Sequence, residues 1–170
     1  RGERVVFSNH REDIDAFAEE MQAQGVKPEF EVYSLVMLEE VERLLETGLV
    51  EPPFMVNFVL HTPTQGGMRG TAVNVVEAVR RLPANCYCNI SSMGRTQLPI
   101  TTIAMAMGCN VRVGMEDNVF FRYGELVERN AQLVARTVRI ARELELEPAH
   151  PDEVREALGL RGRTMGQLPT

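Results

Sequence analysis

Short apolar segments alternate with amphipathic segments along this chain, and that rhythm constrains the fold more than any other feature of the sequence. The apolar segments have the length of strands, and the segments between them carry apolar residues at helical spacing. We predict strands over 28–36, 53–60, 86–91 and 110–115 and helices over 13–25, 37–48, 71–83, 100–108, 124–144 and 151–160. Strands that alternate with helices in this way predict βαβ units on a parallel sheet, which makes the chain an α/β protein.

Two architectures fit such a pattern. An open doubly wound sheet carries its site where the strand order reverses, whereas a (β/α)8 TIM barrel carries it on the loops after the carboxyl ends of the strands. A complete barrel takes about 250 residues, so a single domain over 1–170 with four strands supplies only about half of one. Half a barrel leaves two unpaired sheet edges, which disfavours it as an isolated fold. Residues 145–170 are predicted to form a C-terminal tail with one short helix.

The charge and cysteine content argue against several classes of protein. The net charge is −6 and there is no basic block, so the sequence has no electrostatic footprint for a nucleic acid. No apolar run approaches the ~20 residues that span a bilayer, and the first ten residues lack the pattern of a signal peptide. The three cysteines are odd in number and lie in apolar surroundings, which indicates reduced thiols and a cytoplasmic protein.

The stretch NVRVGMEDNVF, residues 110–120, is the most informative candidate for chemistry. On a strand, Arg112, Gly114 and Glu116 lie on one face, and the apolar residues between them lie on the other. In a barrel this would place Glu116 at the carboxyl mouth, while Asp117 turns inward only if the strand has already ended. A surface turn with an Arg–Glu pair explains the same residues, and the pattern alone does not separate the two readings.

Other polar residues give weaker signals. Glu29 and Glu31 share one face of the first predicted strand, where solvated residues at a strand start are the commoner explanation. The glycine loops HTPTQGGMRG and SMGRTQ resemble anion sites only loosely, because neither has the spacing of a phosphate-binding motif. The three histidines are scattered without HxH or HExxH spacing, so this chain alone does not predict a complete metal site.

Several stretches in order resemble the β-keto acid cleavage enzymes, the family of 3-keto-5-aminohexanoate cleavage enzyme. They include FVLHTPTQGG, ISSMGRTQLPI and CNVRVGMEDNVF, and the resemblance extends over essentially the whole chain. It implies a (β/α)8 barrel of which this chain is the C-terminal part, after the fourth strand. The family's HxH zinc-binding pair has no counterpart here.

The resemblance also implies roles for individual residues. Glu116 matches the glutamate that binds zinc together with the HxH pair, and Asp117 matches the residue that removes a proton from the keto acid. Arg112 matches the arginine that pairs with this aspartate. Glu29 falls on a further active-site acid of the family.

The implied reaction is a zinc-dependent retro-Claisen acyl transfer. A β-keto acid and acetyl-CoA give acetoacetate and a new acyl-CoA, in a protein that is expected to form a homo-oligomer and to bind neither nucleic acid nor membrane. Two alternatives stay open at this point. One is a non-catalytic fragment or structural module without zinc, and the other is an unrelated α/β anion- or nucleotide-binding domain with Gly66, Gly67 or Gly94 at a phosphate.

Overall fold

Helices and parallel strands alternate through the molecule, as a computed structural model of residues 8–63 and 66–160 shows. The helices are α1 Arg11–Gln24, α2 Met37–Glu46, α3 Ala72–Arg80, α4 Gln97–Ala106, α5 Asn130–Glu143 and α6 Pro151–Leu158. The strands are β1 Glu29–Val32, β2 Phe54–Leu60, β3 Cys86–Ser92, β4 Asn110–Val111, β5 Phe120–Arg122 and β6 Glu125–Leu126. A short 3-10 helix, Gly94–Thr96, leads into α4.

The four strands β1 to β4 form one sheet in sequence order, and every neighbouring pair is parallel. Glu31 lies opposite Asn57, which lies opposite Asn89, which in turn lies opposite Asn110. The predicted α/β class and the parallel sheet of βα units are therefore confirmed. Because all four strands run the same way, the loops that follow them meet at one edge of the sheet.

The two faces of this sheet differ in character. Alternate side chains, among them Val32, Phe58 and Ile90, pack into one hydrophobic core together with residues of α1 to α4. The side chains between them include Glu31, Asn57 and Asn89, so the opposite face carries several polar side chains. A doubly wound sheet has helices on both faces, whereas here α1 to α4 pack against one. This is the arrangement expected of a segment of barrel wall.

Helix ends follow local chemistry. Helix α1 stops at Gly25, which adopts a left-handed conformation with φ 62° and donates to the carbonyl of Gln22. Helix α3 begins after Thr71, whose side chain accepts a hydrogen bond from the main-chain N–H of Asn74. These caps fix where α1 ends and where α3 begins.

Three predicted elements are wrong in extent. The strand predicted over 28–36 pairs with β2 only at Glu29–Val32, because the chain then turns into α2. The strand predicted over 110–115 pairs only at Asn110–Val111, because the chain then leaves the sheet for a turn. The long helix predicted over 124–144 begins at Asn130, because residues before it form the antiparallel hairpin of β5 and β6 around Gly124, at φ 76°. Glycine tolerates this left-handed conformation without strain.

Several smaller predictions are also settled. Helix α6 occupies most of the segment predicted for the short tail helix, and residues 161–170 of that tail lie outside the described residues. All three cysteines are free thiols, with Cys88 and Cys109 buried and Cys86 partly buried. Within residues 8–63 and 66–160, no helix is both long and apolar enough to cross a membrane.

Candidate functional site

A tight turn after β4 separates the two adjacent carboxylates. The main-chain N–H groups of Asp117 and Asn118 both donate to the carbonyl of Gly114, at 3.2 and 3.1 Å. This turn buries Asp117, whose side chain is 2% exposed, and leaves Glu116 exposed. The prediction that Arg112, Gly114 and Glu116 share one strand face is wrong, because the strand ends at Val111. Asp117 was expected to turn inward only if the strand had already ended, and the strand does end before it.

Arg112 joins two carboxylates that are far apart in sequence. Its Nη1 donates to Oε1 of Glu31 at 2.6 Å, and its Nη2 donates to Oδ1 of Asp117 at 3.2 Å. Burial lowers the pKa of Arg112, but the neighbouring charges of Asp117 and Glu31 outweigh burial and leave the pKa raised. The guanidinium is thus a permanent cation, and its two Nη atoms bridge separate acids. The structure therefore brings Arg112 and Asp117 together, as the resemblance implied.

Glu31 is the acid that the sequence analysis did not select. Besides Arg112, it accepts hydrogen bonds from the Tyr33 hydroxyl at 3.2 Å and from Nδ2 of Asn57 at 3.3 Å. Burial raises the pKa of Tyr33, and the nearby charge of Glu31 raises it further. Glu31 and Glu29 share a strand face, so the alternation identified the correct face but not which acid on it reaches the arginine. Asn57 had no signal of its own, because it gains its role only through the register of β1 and β2.

Glu29 lies two residues earlier, at the first position of β1, and is exposed. Its carboxylate forms no hydrogen bond or ion pair with other residues of the described ranges. Together with Glu31 it lines a cavity of about 520 Å³ between β1 and α2. The structure thus places Glu29 on the same face as the Arg112 network but outside its hydrogen bonds.

The segment that follows β3 supports Asp117 through its main chain. The N–H of Gly94 donates to the carbonyl of Asp117 at 2.7 Å, and Nε2 of Gln97 donates to the carbonyl of Gly114 at 3.2 Å. Gln97 is fully buried. Gly94 therefore holds the turn after β4 through its N–H, and its φ of 60° is a conformation that glycine adopts without strain.

The loop between β2 and α3 contains glycines for a steric reason. A Cβ at Gly67 would lie 2.8 Å from the carbonyl oxygen of Tyr33, and one at Gly70 would lie 2.7 Å from Oγ1 of Thr96. These distances are shorter than any ordinary carbon contact. Close packing of the loop against Tyr33 and Thr96 thus accounts for both glycines.

A metal ion needs more ligands than the described residues provide. A catalytic zinc site uses about three protein ligands. Residues 8–63 and 66–160 hold no group of three or more histidine, cysteine, aspartate or glutamate side chains that could bind one metal ion. The exposed carboxylate of Glu116 suits zinc chemically, but it would be a single ligand. The described residues therefore do not form a zinc site by themselves.

The arrangement as a whole is suited to proton transfer. A buried carboxylate, Asp117, stands at the carboxyl edge of a parallel sheet, where α/β folds carry their sites. Among the described residues, only the side chain of Arg112 donates a hydrogen bond to this carboxylate. A carboxylate has about four lone-pair positions, so three stay open to a ligand. A carboxylate held in this way can accept a proton from a bound ligand.

Comparison with known proteins gives a consistent picture. The family model described as beta-keto acid cleavage enzyme matches residues 2–160. The chain is 36% identical over 155 residues to 3-keto-5-aminohexanoate cleavage enzyme of Acetoanaerobium sticklandii, covering 91% of this chain and 56% of that protein. It is 34% identical to 3,5-dioxohexanoate:acetyl-CoA acetone transferase of Paraburkholderia graminis, covering 93% and 52%. The chain spans about half the length of the curated relatives it matches.

Proposed function

The chain belongs to the β-keto acid cleavage enzyme family, and on that premise we propose that its protein is an acyltransferase that cleaves a β-keto acid. The co-substrate is acetyl-CoA, which the names of three related transferases contain. The products are acetoacetate and the acyl-CoA of the remaining half of the keto acid. Asp117, Arg112 and Glu31 are the residues of this chain that we assign to the reaction, together with Glu29 from the resemblance.

The observation that carries the proposal is the bridge from Glu31 through Arg112 to the buried Asp117. A methylene group between a ketone and a carboxylate loses a proton only to a well-placed base. Asp117 is such a base, because its carboxylate is shielded from water and oriented by a cation that never titrates. Glu31 fixes the second half of the guanidinium and thereby limits the rotation of Arg112.

The proposed steps balance in atoms and electrons. Asp117 takes a proton from C2 of the keto acid, and the carbanion attacks the thioester carbon of acetyl-CoA, from which the CoA thiolate leaves. The thiolate then attacks the original keto carbon, C3. The bond between C2 and C3 breaks, its electron pair passes to C2, and C2 takes the proton back from Asp117. At the end, the acetyl group is bound to C2 and CoA is bound to C3, and no proton has been gained or lost overall.

We further propose that the complete protein uses zinc, with Glu116 as one ligand. Bound zinc would polarise the keto group as a Lewis acid. At least one further ligand must come from outside the described residues, because those residues hold no group of three side chains that could bind one metal ion. The one-sided packing of helices on the sheet likewise supports a (β/α)8 barrel completed by further strands. A homo-oligomeric assembly and a cytoplasmic location remain part of the same proposal.

The proposed activity is tested with acetyl-CoA and the keto acids that appear in the names of the relatives. These are 3-keto-5-aminohexanoate, 3,5-dioxohexanoate, 3-dehydrocarnitine and 3-oxoadipate. We expect acetoacetate to form with at least one substrate of this class, and Asp117→Asn to lower kcat by about 10²–10⁴-fold. Asp13→Asn, in the exposed first turn of α1, is the matched control and should keep its activity. Full activity of the Asp117 variant would exclude this residue as the base.

The zinc proposal has a separate test. Elemental analysis of the purified complete protein should find about one zinc ion per chain, and Glu116→Gln should lower its zinc affinity by more than the roughly 10–100-fold that loss of an outer-shell partner costs. The isosteric variant Glu29→Gln should bind zinc like the parent protein. A protein that is fully active without any metal would contradict this part of the proposal and leave the role of Asp117 standing. A protein with neither zinc nor activity would favour the non-catalytic module.

A further inference from the structure

A large cavity adjoins the turn that carries Asp117. It has a volume of about 1280 Å³ and lies between the start of α4, the β5–β6 hairpin and α5. Asn118, which directly follows Asp117, lines it, and so does Gly94, whose N–H holds the Asp117 carbonyl. The cavity exceeds the roughly 300–1,000 Å³ of sites for drug-sized ligands. It is therefore large enough for an extended ligand that ends at Asp117.

The walls of this cavity carry more positive charge than the described residues neutralise. Four arginines line it: Arg95, Arg122, Arg136 and Arg139. Within the described ranges, Arg122 pairs with Glu125 at 2.9 Å, and the other three have no carboxylate within ion-pair distance. Such a concentration of cations is unexpected in a protein with a net charge of −6. Unpaired charges of one sign lining a cavity attract a ligand of the opposite sign.

Arg136 shows the electrostatic repulsion within this group of arginines. Its Nη1 donates to the carbonyl of Phe121, but its Nε is buried and has no partner among the described residues. Burial lowers the pKa of Arg136, and the positive charges of Arg139 and Arg122 lower it further. An anion in the cavity would relieve both effects, because it would neutralise the cluster and accept hydrogen bonds from it.

The same cavity has an aromatic and apolar component. The guanidinium groups of Arg136 and Arg122 lie 4.7 and 5.4 Å from the centre of the Phe121 ring. Tyr123 is fully exposed at the hairpin turn and also lines the cavity, as does Leu98. Exposed aromatic rings and arginine planes are the groups on which a nucleobase stacks. The combination suits a ligand that carries both phosphates and an aromatic base.

We propose that this cavity binds the phosphate-bearing nucleotide end of a CoA thioester, with Arg95 and Arg139 as phosphate-binding residues. The thioester end then extends past Asn118 toward Asp117, where the carbanion forms. This inference rests on the proposed acetyl-CoA-dependent function, and it adds the location and the residues of the co-substrate site. The guanidinium groups of Arg95 and Arg139 make no hydrogen bonds with other described residues, so they can bind a ligand without loss of a structural contact.

The test measures the KM for acetyl-CoA in Arg95→Ala, in Arg139→Ala and in the double variant of the complete protein. Each single substitution should raise this KM about tenfold and the double substitution about a hundredfold, since each removes a charged hydrogen bond to phosphate. The kcat and the KM for the keto acid should stay within about twofold of the parent values. Arg142→Ala is the matched control, because Arg142 lies on the same helix but pairs with Glu147 and does not line the cavity.

A shortened co-substrate separates phosphate binding from a general loss of structure. S-acetylpantetheine retains the thioester and lacks the nucleotide and all phosphates. Its KM should exceed that of acetyl-CoA in the parent protein and should not change in the arginine variants. If the variants raise the KM of both co-substrates equally, or leave that of acetyl-CoA unchanged, the site is not where we place it.

Calorimetric titration with CoA keeps this inference separable from the proposed function. Weaker CoA binding in the double variant, with normal binding in Arg142→Ala, supports the site even if none of the tested keto acids is cleaved. Turnover that is unaffected in the arginine variants overturns the site and leaves the proposed reaction intact. Absence of CoA binding in the parent protein overturns the site outright. Inorganic phosphate or ADP that binds as tightly as CoA would instead show a site for a free anion or nucleotide.

Discussion

At the scale of single residues, the neighbouring side chains of Glu116 and Asp117 lie in opposite environments. Both are carboxylates, but the turn that closes on Gly114 buries the second and exposes the first. Burial without a partner would be costly for Asp117, and Arg112 supplies that partner. Arg112 in turn is held by Glu31, which Tyr33 and Asn57 orient. The position of the proposed base thus depends on a chain of contacts that spans the sheet from β1 to β4.

The role of Glu31 leads to a prediction that also examines Glu29. Glu31→Gln removes the negative charge that anchors Arg112 and leaves only a neutral amide oxygen as acceptor, and we expect kcat to fall about 10–100-fold because Asp117 is then less well placed. The KM for acetyl-CoA should stay within about twofold, since the loss concerns the chemical step. Glu29→Gln changes the same face without touching Arg112 and should have a smaller effect. Steady-state kinetics of the two variants decide the matter. A larger loss of kcat in the Glu29 variant would mean that Glu29, the acid selected by the resemblance, matters more for the reaction than Glu31.

Tyr33 gives a prediction about pH. Its raised pKa means that folded Tyr33 holds its proton more tightly than unfolded Tyr33, whose ordinary value is about 10. The stability that this provides is present below that value and is lost as the pH rises through the raised pKa. Titration of tyrosinate by ultraviolet absorbance should therefore show a component above pH ~10 that Tyr33→Phe removes. Tyr123→Phe, at the exposed hairpin turn, must leave this component in place. If the late component survives in Tyr33→Phe, its source is another tyrosine.

At the scale of elements, we predict that the loop between β2 and α3 tolerates alanine at Gly66 and is destabilised by alanine at Gly70. A Cβ at Gly70 would lie 2.8 Å from Oγ of Ser92 and would push apart the Ser92–Thr96 hydrogen bond of 2.7 Å. Gly70→Ala should therefore lower the free energy of unfolding by about 1–3 kcal/mol. Gly66→Ala, in the same loop with no atom of the described residues within 4 Å of the new Cβ, should leave it nearly unchanged.

Thermal unfolding measures the difference between these two variants. In a protein of this size, 1 kcal/mol corresponds to a shift of about 2–4 °C in Tm, so only Gly70→Ala should show a clear decrease. Equal Tm values would mean that the loop moves to accept the new methyl group. An increase of Tm for Gly66→Ala would be consistent with a less flexible unfolded chain and would not alter the interpretation of Gly70.

Elements that depend on a local sequence pattern were predicted better than elements that depend on pairing between separate parts of the chain. Helical periodicity located α1, α2, α3 and α4, and the apolar run of β2 correctly indicated a strand buried within the sheet. The start of α5 was misplaced because Gly124 belongs to a hairpin turn, and that hairpin exists only through pairing of Phe120 with Leu126. Glu31 was missed for the same reason. Its partner Arg112 lies 81 residues away, and no local pattern reports a contact at that separation.

At the scale of the whole molecule, the sheet of β1 to β4 has an open edge on each side among the described residues. Strand β1 pairs with β2 on one side, and among the described residues no strand pairs with its other side. The same is true of β4, beyond β3. Open edges of a parallel sheet expose unpaired main-chain groups, and proteins generally cover them. The curated relatives are nearly twice as long as the matched segment, which is the length that closure into a barrel requires.

Hydrogen–deuterium exchange tests this closure directly. In the complete protein we expect the main-chain amides of β1, Glu29–Val32, to exchange nearly as slowly as those of the central strand β2, because strands outside this segment pair with the free edge. In a protein expressed from residues 1–170 alone, β1 should exchange much faster than β2. Helix α2, which packs on β1, is the internal control for general unfolding and should differ less between the two proteins. Fast exchange of β1 in the complete protein would mean an open sheet. The mouth of a barrel would then not be available to bring the remaining zinc ligands to Glu116, and the zinc proposal would lose its geometric basis.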